Sequence, residues 1–176
     1  MKNNTSESSV IFHKIKKMNS EILLETGKYG RSVRTKNKPI EAMILFKTKI
    51  GYKRDWDHKE TIYSTWGSLS KFDSFTIQYD AWSNIHYGYL GFLVGFDKRL
   101  LLDAAGIAQA KSSTVPEGYL VRVLKGEGIF SGLDDPLDQE SISIGIELAV
   151  AHGHELTLKQ FKTYLRREAY RISQDR

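Results

Sequence analysis

A chain of 176 residues with 40% apolar side chains can bury one sizeable core and is too short for two comfortable domains. It contains no cysteine, which excludes disulfides, thiolate catalysis and cysteine-type zinc sites, and no run approaches the roughly 18 apolar residues of a membrane-spanning helix. The formal charge of +5 and a pI near 9.3 attract polyanions over long range, so RNA, DNA and the anionic bacterial envelope all qualify as targets.

The N-terminus MKNNTSESSV lacks the apolar core of a signal peptide, so a soluble chain made in the cytosol is expected, carried by dedicated machinery if it acts elsewhere. Residues 1 to about 8 read as a frayed tail. Val10, Ile11, Ile15, Met18, Ile22 and Leu23 are spaced for one or two helical turns, and Gly27 to Lys38 reads as a loop. Residues 1–35 are therefore assigned to a loosely packed or partly disordered extension, and residues 36–176 to the domain proper. Part of the positive excess lies in Lys14, Lys16 and Lys17 and in Arg166, Arg167 and Arg171, where a solvated helix face explains it.

Pro39 is placed to open a helix with Ile40, Met43, Ile44, Lys47 and Ile50 on one face, stopped by Gly51. From Tyr52 to Tyr79 the pattern changes to short mixed runs, Thr61 to Trp66 and Phe72 to Tyr79. In the second run Phe75, Ile77 and Tyr79 alternate with Thr76 and Gln78, which predicts a small hairpin or an irregular element. Trp82 to Phe96 is aromatic, aliphatic or glycine almost throughout, the pattern of a central helix covered on every side. Ser83, Gly88, Gly91 and Gly95 leave gaps where other backbones can approach.

Asp97 caps a helix from Lys98 to Ala110, and Gly118 to Gly132 reads as a loop. Asp134-Asp135-Pro136 is a strong helix start, with Ile142, Ile144, Ile146, Leu148 and Val150 filling the helix that His152-Gly153 ends. Thr157 caps a last helix whose apolar stripe is Leu158, Phe161, Leu165 and Tyr170. The predicted fold class is mainly α (α+β): a single helical domain of five or six helices with a buried central helix and a small hairpin or irregular element.

Three segments resemble the signature of the polymorphic toxin type 44 family: Asp55-Trp56-Asp57-His58-Lys59; Tyr79 to Gly88 (YDAWSNIHYG), running on to Ala105-Gly106-Ile107-Ala108-Gln109; and Asp134-Asp135-Pro136-Leu137-Asp138-Gln139, followed by Ile142 and Gly145. Their order and spacing match as well, over roughly positions 40 to 150. Arg54 and Asp55 stand where the family tends to have Gly-Pro, and His58 where it often has Tyr, so position 58 is a poor candidate for an essential catalyst. The resemblance implies a toxin against competing bacteria, secreted by a dedicated delivery system into the target's periplasm or cytoplasm and neutralised in the producer by an immunity protein. It does not settle the substrate, and members of the family are usually treated as nucleases, specifically ribonucleases.

Glu41, in the first turn of a predicted helix, and Asp57, after it, have the layout of lysozyme-like enzymes, in which one carboxyl protonates the glycosidic oxygen and a second steadies the cation or activates water. The plainer reading is that Glu41 complements the helix dipole and Asp57 pairs with Lys59. Asn84, His86 and Tyr87 gather at the start of the apolar helix, where free backbone N–H groups favour anions, or else Asn84 caps the helix and His86 is a satisfied core histidine.

His86, Lys59 and Asp57 could equally form a metal-independent ribonuclease site, with histidine as base, lysine steadying the phosphorane and aspartate orienting the histidine. Asp134, Asp135 and Asp138 could hold a hard cation, but capping accounts for the first two, and His152, His154 and Glu155 are too isolated for zinc. The candidate catalytic residues are thus Glu41, Asp57, Lys59 and His86, and the candidate substrate-binding residues Trp56, Asn84, Tyr87 and Asp135, with no metal and no cofactor. A third possibility is a binding module, which would need neither the gathered polar groups nor the Trp-Asp block.

Overall fold

The computed structural model describes residues 46, 48–50, 53–54, 57–111 and 134–175. After a helical segment at 48–50 come α1 (Lys59–Trp66), a hairpin of β1 (Leu69–Phe72) and β2 (Phe75–Gln78), then α2 (Tyr79–Val94), α3 (Lys98–Lys111), α4 (Pro136–His152) and α5 (Leu158–Glu168). Short 3₁₀ turns follow α4 at Gly153–Glu155 and α5 at Ala169–Arg171. The fold is mainly helical with one small antiparallel hairpin, as the patterning predicts.

The predicted start signals act as expected. Asp97 accepts the Leu100 N–H at 2.8 Å, Asp135 accepts the Leu137 N–H at 2.8 Å ahead of Pro136, and Thr157 with Gln160 forms a reciprocal capping box. Gly153 ends α4 with a φ of 54°, a left-handed value that glycine takes freely. In the hairpin, Phe72 pairs with Phe75 across a two-residue turn, where Asp73 takes a φ of 49° and receives an ion pair from Arg166 at 2.8 Å.

Two assignments differ. Thr61 to Trp66, read as part of a hairpin or irregular stretch, belongs to α1. Its Thr, Tyr and Trp residues favour strands locally, but burial of Ile62 against the core decides the conformation. The central helix begins at Tyr79, directly after the strand, rather than at Trp82. Val150 and Tyr170, assigned to apolar faces, are 66% and 57% exposed.

Packing of α2 on α4 dominates the core. Asn84 meets Asp138 and Gly88 meets Ile142, so contacts advance in the same sense along both helices, which therefore run parallel with their N-terminal ends together. Ile85, Tyr89 and Leu90 from α2 and Ile142, Ile144 and Leu148 from α4 are almost fully buried between them. Leu101 of α3 closes one side, and Phe161 and Leu165 of α5 the other. Trp82 ties α2 to the hairpin by donating to Ser70 Oγ at 2.8 Å.

The C-terminal segment locks this arrangement. Ser173 bridges to Ile77 on the outer edge of β2, Gln174 donates to the Thr76 carbonyl, and both carboxylate oxygens of Asp175 accept from Thr76. Arg171, mostly buried, pairs with Glu140 and Glu147 of α4 at 2.7 Å each and with Glu168 at 3.4 Å. Arg171→Ala is expected to cost about 2 kcal/mol, because it strands three half-buried carboxylates together. A urea midpoint within experimental error of wild type would show that solvent already screens the cluster.

Candidate active site

Described residues of all three sequence blocks, Asp57 to Lys59, Tyr79 to Gly88 and Asp134 to Gln139, lie at or near the starts of α1, α2 and α4. At the first, Asp57 accepts the backbone N–H groups of Lys53 at 2.9 Å and Lys59 at 3.2 Å, which fixes the entry into α1. His58 follows and packs its ring on His86 of α2, centroids 5.2 Å apart. At the third, Asp134 is buried, Asp135 caps α4, and Asp138 in the first helical turn accepts from Asn84 Nδ2 at 2.6 Å.

That last contact defines the chemistry. Burial drives the Asp138 carboxyl up to a pKa of about 7; Lys59 opposes the shift, while Asp80, Asp134 and Asp135 add to it. A carboxyl that holds its proton near neutrality is suited to donate one. Close by on α2, Asp80 Oδ1 is buried with no hydrogen-bond partner among the described residues, a free acceptor facing the same region. Burial and the charge of Asp80 likewise push the Tyr79 phenol up.

The predicted site residues fall into distinct positions. Lys59 and Asn84 stand at the carboxyl: Lys59 as the one cation acting on it among the described residues, Asn84 as its hydrogen-bond partner from the second turn of α2 rather than as a helix cap. Asp57 uses both oxygens on backbone N–H groups and does not ion-pair with Lys59. Tyr87 donates to the Leu101 carbonyl at 3.0 Å and so anchors α2 to α3, with burial and Asp134 raising its pKa. Asp135 serves as the cap. Glu41 and Trp56 lie outside the described residues.

His86 is only 1% exposed, and its Nε2 has no hydrogen-bond partner among the described residues. Burial first, and His58 second, lower its pKa to about 3. The unfolded chain binds a proton below pH 6.5 that the folded chain refuses, so this group withdraws stability as pH falls through that window. Removing it with His86→Leu is expected to flatten the acid limb of thermal stability by roughly 3 kcal/mol between pH 6.5 and pH 4. Parallel melting curves for the two proteins over that range would refute the assignment.

Sequence reasoning passed over Asp80 and weighed Asp138 only as a ligand for a hard cation, not as a proton donor. Both stand inside the family-like blocks, and in the third block capping accounts for Asp135 but not for Asp138. Among the described residues, no three His, Asp or Glu side chains are grouped to hold a metal ion.

The family model described as bacterial toxin 44 matches residues 46–150, more than half of the chain. No curated protein and no solved structure matches it. The matched stretch contains the starts of α1, α2 and α4, with Lys59, Asp80, Asn84, Asp134 and Asp135 that act on Asp138; the chain belongs to the bacterial toxin 44 family, and its role is that of a toxin.

Proposed function

We propose that this toxin is a hydrolase that cuts the glycan strand of peptidoglycan, with Asp138 as proton donor and Asp80 as the second carboxylate. The observation that carries this reading is the partly buried Asp138 carboxyl, held by Asn84 near the unpartnered oxygen of Asp80. Asp138 gives its proton to the departing glycosidic oxygen, and Asp80 steadies the positive charge that develops on the sugar or takes the proton of the attacking water. Asn84 orients the donor, and Asp57 positions Lys59 through the backbone at the start of α1.

Local charge favours a sugar over a phosphodiester. Among the described residues, Asp80, Asp134 and Asp135 act on Asp138 with Lys59 as the one opposing cation, a balance that disfavours phosphate. A ribonuclease built on His86 requires that side chain to touch RNA, which its depth does not support. The overall charge of +5 remains useful, since it draws the protein to the anionic envelope. In this reading the toxin is delivered to the target periplasm and an immunity protein protects the producer.

The test is to incubate purified protein with peptidoglycan sacculi and, separately, with total RNA. New reducing sugar ends from sacculi and intact RNA are expected, together with killing only when the protein carries an export signal. RNA breakdown, with killing from the cytoplasm, would overturn the proposal. Asp80→Asn and Glu41→Gln, compared on sacculi, decide which residue supplies the second carboxylate.

A further inference from the structure

Tyr63 is 55% exposed, yet it is no isolated surface ring. It lies four residues after Lys59 on α1, so the two share one helix face. Its ring meets that of Tyr79 edge to face, with centroids 5.2 Å apart and planes at 69°. Tyr79 opens α2 immediately before Asp80, and its phenol responds to the charges of Asp80, Lys59 and Asp138. The aromatic pair therefore borders the carboxyl site, with the half-exposed ring outermost.

We propose that Tyr63, backed by Tyr79, is a stacking platform for the pyranose ring next to the bond cut at Asp138. This rests on the glycan-cleaving reading above. A pyranose shows an apolar C–H face and a rim of hydroxyls. An aromatic ring covers the first, and phenol and carboxylate oxygens bind the second. A nucleobase also stacks on aromatic rings, but it brings a phosphate toward three aspartates. The matching ligand is an uncharged N-acetylated sugar ring within the strand.

The experiment measures cleavage of sacculi by wild type, Tyr63→Ala, Tyr63→Leu and Tyr63→Phe, and titrates a peptidoglycan tetrasaccharide into Asp138→Asn with and without Tyr63→Ala. The alanine and leucine variants are expected to raise KM and weaken tetrasaccharide binding about tenfold, with kcat nearly unchanged and phenylalanine restoring both. Because leucine keeps apolar volume without the ring, loss in both variants separates stacking from general packing. If wild type cuts sacculi while both variants keep its KM and affinity, the platform is refuted and the glycan reading stands. If wild type neither cuts sacculi nor binds the tetrasaccharide as Asp138→Asn, both fall together.

Discussion

Asp138→Asn is expected to lower cleavage of sacculi about 1,000-fold while making the protein more stable at alkaline pH. The loss follows from removing a carboxyl held protonated near neutrality, since asparagine keeps the shape and the contact with Asn84 but has no proton to give. The stability effect has a definite sign. The folded carboxyl titrates at about 7 instead of 3.8, so the folded state retains a proton that the unfolded chain releases. Its contribution is fully present below pH 3.8 and disappears as pH rises through about 7. Asparagine carries no such penalty, so the variant should exceed wild type by roughly 4 kcal/mol at pH 9 and come close to it near pH 4. Wild-type activity should fall above pH 7 for the same reason. Denaturation curves at the two pH values, beside the rate on sacculi, check both halves; a variant less stable than wild type at pH 9 would contradict the burial account.

The second large effect concerns the crossing of α2 and α4. A methyl group on Gly145 would lie 2.0 Å from the Ile85 carbonyl oxygen and 2.7 Å from the Tyr89 nitrogen, both backbone atoms of the facing helix. Gly88 makes the reciprocal approach, with 2.1 Å to the Ile142 carbonyl oxygen. Neither helix can yield locally, so the pair must separate, and the gain in helix propensity from alanine, about 1 kcal/mol, is far too small to offset it. Gly145→Ala is expected to cost about 3 kcal/mol or more and to cut activity further, because separating the helices also parts Asn84 from Asp138. Gly91→Ala is the contrast: its methyl would first meet a Leu101 side-chain carbon, a flexible end, and about 1 kcal/mol is expected. Equal urea midpoints for the two variants would show that the helix crossing is not rigid.

Much of the fold is legible because its signals are local. The alternation at Phe75 and Ile77 shows the hairpin, the apolar run after Trp82 shows the central helix, and Asp97, Asp135 and Thr157 show where three helices start. The helix α1 is illegible because it buries just Ile62, too little for a helical period to stand out. The site is legible in part. Blocks that match a family in order point to Lys59 and Asn84, but the contact of Asn84 with Asp138 spans 54 positions and leaves no trace in local pattern. The depth of His86 is equally hidden, since a histidine in an apolar helix reads alike whether it faces the core or a cleft.

The strap from Thr76 to Asp175 sets a clock on the toxin's birth. Its partners lie 99 positions apart. At a synthesis rate of 5–20 residues per second, the hairpin waits roughly 5 to 20 seconds for its outer edge to be covered. A nascent chain therefore carries an uncovered hairpin edge until Ser173 to Asp175 have emerged, and any chain clipped before Ser173 leaves β2 with an open edge.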